Sequence, residues 1–550
     1  MSDQSSARPH VLVADPIAAE GIEILRGFAE VDERHGLGVD GLIAAIPAYD
    51  ALVVRSETKV TAEAIAAATK LRIIGRAGVG VDNIDIEAAT RRGVIVVNSP
   101  TGNIVAAAEH TIALLLAMAR RIPAANDAMR EGRWERSKFV GAEVRGKTLG
   151  IVGLGKVGSE VARRAGENGL GMRLLAHDPY ANPDNARKLN VELVSMDELL
   201  AESDFVTLHT VLNAGTRGLI SVEELAKMKP TARVINCARG GVVDEEALLA
   251  ALKENRLAGA ALDVFTKEPP FTSPTLRELI ADARVIVTPH LGASTEEAQV
   301  SVAVDVAEQM RDVFRGEAPR AAVNAPLILP ETLRALEPWM ELVEKLGHLC
   351  TQLRPAPLKR AELSVAGELA QFDTRPLTTA LIRGLLEPIS EARVNLVNAH
   401  VVAKEWGLEV TESRSTAYEQ YASLVTVRVS PDGDDEETTT LAGTITWGEP
   451  RIVRVDRYAT DFTPRGHILL ARNIDRPGMI GKVGVILGEA GVNISHMDVG
   501  TVAAAMAPGR ARQPGGEALM ALSLDDAPPE DAVERIRATD GIMDVRSVRI

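Results

Sequence analysis

Thr148-Leu-Gly-Ile-Val-Gly-Leu-Gly-Lys-Val-Gly158 is the stretch on which the fold turns. An apolar, β-branched run, Thr148–Val152, passes into G-x-G-x-x-G at Gly153, Gly155 and Gly158, and a helical stretch follows over Ser159–Glu167. Gly153 permits a tight turn, and Gly155 lets the backbone approach a pyrophosphate. Gly158 allows the helix to pack close to the strand, and the helix N-terminus attracts phosphates. The glycine pattern alone is weak. The next run, Arg173–His177, ends in Asp178, twenty residues after Gly158. A carboxylate there suits the adenosine ribose 2′-hydroxyl and repels a 2′-phosphate, so NAD is expected rather than NADP.

Similar runs recur on both sides. Val11–Ala14, Ala51–Val54, Arg72–Gly75 and Val94–Val97 precede the glycine turn. Phe205–His209, Arg233–Cys237, Ala260–Val264 and Arg284–Thr288 follow it. Short apolar runs alternating with helical stretches read as parallel strands buried on both faces, the α/β doubly wound pattern. Pro100–Arg120, rich in alanine and leucine, reads as a helix capped by Ser99 that carries the chain from one α/β unit to the next. Past Pro319–Pro330 the strand signals weaken, with runs at Ala422–Val429 and Leu441–Trp447 and an acidic hairpin loop at Asp432–Glu437. From His467 a fresh β-α-β-β-α-β pattern of the ferredoxin-like kind begins.

Length and composition bound the function. At 550 residues, three or four domains are expected. A net charge of −15 argues against a nucleic-acid partner, which needs a basic face. The two cysteines, Cys237 and Cys350, are too few for a disulfide framework, which points to a reducing compartment. The first residues show no secretion signal, and no apolar run approaches the ~20 residues of a membrane span. A cytoplasmic enzyme acting on small molecules is expected, without nucleic acid, membrane or metal.

Ligands of open parallel sheets collect beyond the carboxyl ends of the strands. Arg239, Glu268 and His290 each follow one of three consecutive predicted strands. His290 can take or return the proton of a hydroxyl while hydride moves. Glu268 would orient its ring and raise its pKa. Arg239 offers a planar fork for a substrate carboxylate. Taken singly, Glu268 could be a surface loop acid and Arg239 could pair with an acid such as Asp244. Together on one sheet with a nucleotide turn, they describe hydride transfer at the 2-position of a 2-hydroxy acid.

Val234-Ile-Asn-Cys-Ala-Arg-Gly-Gly-Val-Val-Asp-Glu245, Leu262-Asp-Val-Phe-Thr-Lys-Glu-Pro269 and Thr288-Pro-His-Leu-Gly-Ala-Ser-Thr295 resemble signatures of the D-2-hydroxyacid dehydrogenase family. Val53-Val-Arg-Ser56, Gly75-Arg-Ala-Gly-Val-Gly-Val-Asp-Asn83 and Asn98-Ser-Pro-Thr-Gly-Asn103 extend the resemblance to its long-chain branch, which oxidises 3-phosphoglycerate at the entry to serine biosynthesis. The resemblance implies Arg239, Glu268 and His290 as the catalytic set. It implies cofactor contacts at Lys156, Val157, Asp178, Thr210, Cys237 and Asp263, beside the three glycines. Substrate contacts would be Arg55, Ser56, Arg76 and Asn103, and a phosphate makes sense of that basic set. Arg133 and Arg136 match a segment that reaches a neighbouring subunit, which implies a homo-oligomer (dimer or tetramer), though a solvated basic helix end fits them as well.

His467-Ile-Leu-Leu-Ala-Arg-Asn-Ile-Asp-Arg-Pro-Gly478 and Gly491-Val-Asn-Ile-Ser495 resemble an ACT domain, an amino-acid-binding module. The resemblance places an effector, serine in regulated relatives, near Asn473, Asp475 and Asn493. Asn473 stands where His or Tyr is expected in those relatives, and a dimerisation module without ligand is the alternative reading. Ala503–Gly516 looks like an inserted loop. The expected division is a discontinuous substrate-binding domain (1–100 and 288–320), an NAD-binding Rossmann domain (101–287), an α+β intervening domain (321–460) and the ACT domain (465–550). A glyoxylate or hydroxypyruvate reductase and a non-catalytic NAD-sensing protein remain the other functional readings.

Overall fold

The computed structural model describes residues 8–550 apart from 327, 329, 355–357, 390–393, 418–420, 432–437 and 503–514. The first apolar runs become strands β1 (His10–Val13), β2 (Glu30–Glu33), β3 (Ala51–Val54), β4 (Ile73–Arg76) and β5 (Ile95–Asn98), all parallel, in the order 2-1-3-4-5. Alternate residues point to opposite faces. Leu12, Leu52, Ile74 and Val96 therefore pack against Leu42, Ile46 and Ile65 on one side. Val11, Val13, Val53 and Ile73 meet Ile22 and Leu25 on the other, together with Val306, Met310 and Val313.

Those last three residues lie on a helix, Glu296–Phe314, far down the chain. It presses so closely on the sheet that a Cβ added at Gly75 would lie 2.4 Å from Val306 Cγ1. Asn324 then ties the returning chain to the sheet edge, donating to the Val94 carbonyl and accepting from the Val96 amide at 2.8 Å each.

The second sheet holds β6 (Thr148–Val152), β7 (Arg173–His177), β8 (Val191–Leu193), β9 (Phe205–Leu208), β10 (Arg233–Asn236), β11 (Gly259–Leu262) and β12 (Val285–Val287). All are parallel, in the order 12-11-10-9-6-7-8. The order reverses between β6 and β9, the switch point at which such sheets bind ligands.

The third sheet comprises β13 (Arg360–Gly367), β14 (Glu409–Ser415), β15 (Ser423–Ser430), β16 (Thr439–Thr446), β17 (Glu449–Val455) and β18 (Tyr458–Phe462), antiparallel except where β13 meets β14. It carries the helix Pro330–Leu353 and the helix Arg375–Leu386. The fourth sheet, β19 (His467–Ile474), β20 (Ile494–Thr501), β21 (Glu517–Leu524) and β22 (Ile542–Arg549), is antiparallel in the order 20-21-19-22, with helices at Met479–Glu489 and Glu530–Arg537. This is the expected βαββαβ arrangement. The third and fourth sheets share one core, in which Leu363, Val427 and Phe462 pack with Ile468, Leu470 and Leu519. Asn395 and Asn398 fasten this half to the first, donating to the carbonyls of Gly93 (2.8 Å) and Arg91 (3.3 Å).

Two local expectations change. The connecting helix starts at Ile104 rather than Pro100, and Ser99 is buried, its hydroxyl finding no partner among the described residues instead of capping the helix. Residues 100–103 are held as a turn against the returning helix, where a Cβ on Gly102 would lie 2.7 Å from Val302 Cγ1. The helix after the glycine turn begins at Lys156, not Ser159, and ends at Ala165. The acidic loop Asp432–Glu437 and residues 503–514 of the presumed insert lie outside the described residues.

Candidate active site

Gly153 takes a φ of 93°, open to glycine and costly for other residues. A Cβ there would stand 2.7 Å from the His209 carbonyl oxygen, and one on Gly158 would stand 2.1 Å from the Gly153 carbonyl oxygen. Gly155 differs, since a Cβ on it would meet nothing within 4 Å. That open face lies at the N-terminus of the helix Lys156–Ala165, which leaves room for an anion beside free amides. Lys156 is exposed there and Val157 is half-buried. Asp178 accepts from the Leu154 amide and the Tyr180 amide, each at 2.9 Å, so it braces the glycine turn as well as standing at the end of β7. Thr210 keeps a buried hydroxyl beside the same turn, with no partner among the described residues. The open glycine face, the acid at the strand end and this unpaired hydroxyl together fit NAD.

Cys237 is half-buried, and burial pushes its thiol up to about 12, so it remains neutral. Asp263 stands just past the end of β11. Its side chain is fully buried, and its carboxylate accepts from Thr288 Oγ1 (2.6 Å), the Leu291 amide (2.7 Å) and the Gly292 amide (2.8 Å). His110 Nε2 lies 3.3 Å away. Burial favours the neutral acid, but these donors outweigh it and leave the pKa below the ordinary value. Asp263 thus organises the turn that carries His290, a role invisible in the linear pattern.

His290 is held at a φ of 56°, unusual for a residue with a side chain. Its amide donates to the Asp263 carbonyl at 2.9 Å. Nδ1 lies 2.9 Å from Glu268 Oε2, and because a carboxylate only accepts, Nδ1 carries the hydrogen. Nε2 is left as the nitrogen open to a ligand, on a ring 42% exposed. Glu268 Oε1 accepts the Phe265 amide at 3.1 Å. Burial raises the Glu268 pKa, and the hydrogen bond and charge of His290 more than offset it, so the group sits below its usual range.

Arg239 does not pair with Asp244, which instead caps the helix Glu245–Lys253. Its Nε donates to Asp82 Oδ2 at 2.9 Å, across from the second sheet to the loop after β4. Arg76 lies deep in the same place. Burial, with the charges of Arg239 and Arg55 nearby, brings its pKa down to about 10, and its Nε has no partner among the described residues. Arg55 is anchored through its amide by buried Asp15 at 2.6 Å. Ser56 is exposed at the end of β3 and Asn103 is half-buried at the start of the helix Ile104–Ala119. Arg55, Arg76 and Arg239 lie within electrostatic reach of one another, and Asp15 and Asp82 offset only part of their charge, so the cluster could hold an anion. Asp15, Asp82 and His110 escaped the sequence reading, although the first two stand at or just beyond strand ends.

Arg133 and Arg136 are exposed; Arg133 is held by Glu131 and Glu135, and Arg136 makes no ion pair or hydrogen bond among the described residues. Within one chain they do not join the site. Asn473 is buried in β19, its amide donating to the Ile474 carbonyl at 3.0 Å, while exposed Asn493 bonds Asp525 at 2.7 Å. Asp475 pairs through its backbone with Gly515 and Gly516. No described helix is long and apolar enough to cross a membrane.

A glycine turn between strand and helix, a hydrogen-bonded His–Glu pair and an arginine cluster at the ends of two parallel sheets fit a nicotinamide-dependent dehydrogenase of 2-hydroxy acids. The NAD binding domain of D-isomer specific 2-hydroxyacid dehydrogenases matches residues 112–292, the D-3-phosphoglycerate dehydrogenase intervening domain matches 335–456, and the ACT domain matches 467–541. The chain is 46% identical to D-3-phosphoglycerate dehydrogenase of Synechocystis over 98% of its length and 94% of that protein, and 44% identical to the Archaeoglobus fulgidus enzyme of that name over 98% and 100%. Among solved structures, the D-lactate dehydrogenase of Aquifex aeolicus complexed with NAD and lactic acid covers 58% of this chain and 99% of its own, at 25% identity and a TM-score of 0.53. The chain belongs to the D-3-phosphoglycerate dehydrogenase family, and it is an NAD-dependent dehydrogenase.

Proposed function

We propose that the chain oxidises 3-phospho-D-glycerate at C2 to 3-phosphohydroxypyruvate, the first step towards L-serine. The observation that carries the substrate is the cluster of Arg55, Arg76 and Arg239, whose three cations match a ligand bearing both a carboxylate and a phosphate. Arg239 grips the carboxylate and polarises the 2-oxygen. His290 Nε2 accepts the hydroxyl proton, and Glu268 on Nδ1 stabilises the imidazolium that forms. Bound NAD supplies the hydride acceptor, held by the Gly153–Gly158 turn, Asp178 and Thr210. The first sheet with its returning helix is the substrate side, and the second sheet is the cofactor side.

The chain works as a cytoplasmic homo-oligomer in this reading. Trp134 and Val140 are 75% and 77% exposed beside Arg133 and Arg136, and an apolar face there would bring both arginines to a second copy's site. The C-terminal module senses an amino acid, serine being the first candidate.

The test measures NAD reduction with 3-phosphoglycerate, glycerate and glycolate, with and without serine. Turnover on phosphoglycerate at least about 100-fold above the unphosphorylated acids is expected, a difference of one desolvated ionic contact. Turnover confined to glycerate or glycolate would mark a reductase of the wider family, and binding of NAD without turnover on any acid would mark a sensor. Replacing His290 by Ala should lower kcat about 100-fold or more while NAD affinity holds.

A further inference from the structure

We infer that Asp82 is a positioning residue that sets Arg239 for substrate across the cleft between the two parallel sheets, an inference that rests on Arg239 as the substrate's carboxylate partner. Arg239 projects from the loop after β10, and Asp82 from the loop after β4, 157 residues away in sequence. Asp82 Oδ2 takes Arg239 Nε at 2.9 Å, and the Ala238 carbonyl takes Nη1 at 2.7 Å. Nη2 carries no hydrogen bond among the described residues. It lies against Gly80, where a Cβ would come within 1.9 Å of it, so the loop that supplies Asp82 is also shaped around the guanidinium.

Two features argue that the pair serves the reaction rather than the fold. Its members are 29% and 61% exposed, and ion pairs at that exposure contribute little to stability. Arg76 stands close enough for its charge to repel Arg239. Without an acceptor for Nε, the flexible Arg239 side chain would be left with the Ala238 carbonyl alone to hold it against that repulsion. Asp82 therefore holds one arginine in line with the other before substrate arrives, at the expense of one negative charge beside an anion site. Preorganisation of this kind shows in turnover, where a displacement of about 1 Å can cost roughly 100-fold.

The experiment compares Asp82→Ala, Asp82→Asn and Arg239→Ala in the full chain, by kcat and KM for 3-phosphoglycerate, KM for NAD and thermal midpoint. Asp82→Ala should lower kcat/KM for phosphoglycerate about 10- to 100-fold, leave KM for NAD within about 3-fold and leave the midpoint within ~2 °C. Asp82→Asn keeps an acceptor for Nε and removes the charge. It should restore kcat to within about 3-fold of the parent and hold or lower KM for the anionic substrate. Asp82→Ala at parental kcat/KM, or Asp82→Asn as impaired as Asp82→Ala, would overturn the inference. Arg239→Ala separates the two claims: full turnover in that variant would sink the reading of Arg239 itself. Loss there with Asp82→Ala unaffected would sink only the role of Asp82.

Discussion

Replacing Asp263 by Asn tests how the site is built. In the native chain Oδ1 accepts Thr288 Oγ1 and the Leu291 amide, and Oδ2 accepts the Gly292 amide. An asparagine can place its one oxygen at only one of these positions. With the oxygen serving Thr288 and Leu291, its NH2 meets the Gly292 N–H donor to donor, in a site closed to water. One hydrogen bond to a charged acceptor, worth about 1.5–3 kcal/mol, is lost and a buried amide is left unpaired, so a destabilisation of about 3 kcal/mol is expected. The same turn holds His290 in its left-handed conformation, so kcat should fall at least about 10-fold. Urea denaturation and steady-state kinetics read both quantities. The pH dependence adds a sign. A folded pKa held below the ordinary carboxylate value stabilises the protein fully above that value, and the contribution is lost as pH falls through the lowered one. The gap between parent and variant should therefore narrow below about pH 4. A loss under about 0.5 kcal/mol with parental kcat would refute this account of the turn.

Two further outcomes follow from the geometry. Asp178→Ala removes the acceptor for two turn amides and the charge that repels a 2′-phosphate, so KM for NAD should rise and the NAD/NADP ratio of kcat/KM should drop, about 10-fold or more, in assays with both cofactors. Met310→Ala empties a fully buried position between the first sheet and the returning helix; about 2–5 kcal/mol should be lost in denaturation, with KM for NAD unchanged.

The central strands were legible because burial on both faces demands continuous apolar runs, and β3, β6 and β7 match their predicted limits residue for residue. The edge strands β2 (Glu-Val-Asp-Glu) and β8 (Val-Glu-Leu) were not, because an edge half in water imposes no such pattern. Within the site, the strand-end rule pointed to Arg239, Glu268 and His290, and the structure joins the latter two at 2.9 Å. Asp82 and His110 were hidden because each acts through a side chain more than a hundred residues distant. Asp263 was visible, but its burial, and with it the three donors that its carboxylate accepts, was not.

The return of Glu296–Phe314 and Asn324 to the first sheet has a consequence for the order in which a ribosome can release this protein's parts. Strands β1 to β5 emerge first, yet one of their faces has only Ile22, Leu25 and their neighbours as cover until residues near 310 have been made. At roughly 5–20 residues per second, synthesis of the intervening stretch takes about 10–40 s. The second sheet, uninterrupted in sequence, can close during that interval. A later part of each nascent chain then completes its oldest, and a ribosome stalled before codon 296 would leave Val11, Val53 and Ile73 only partly covered.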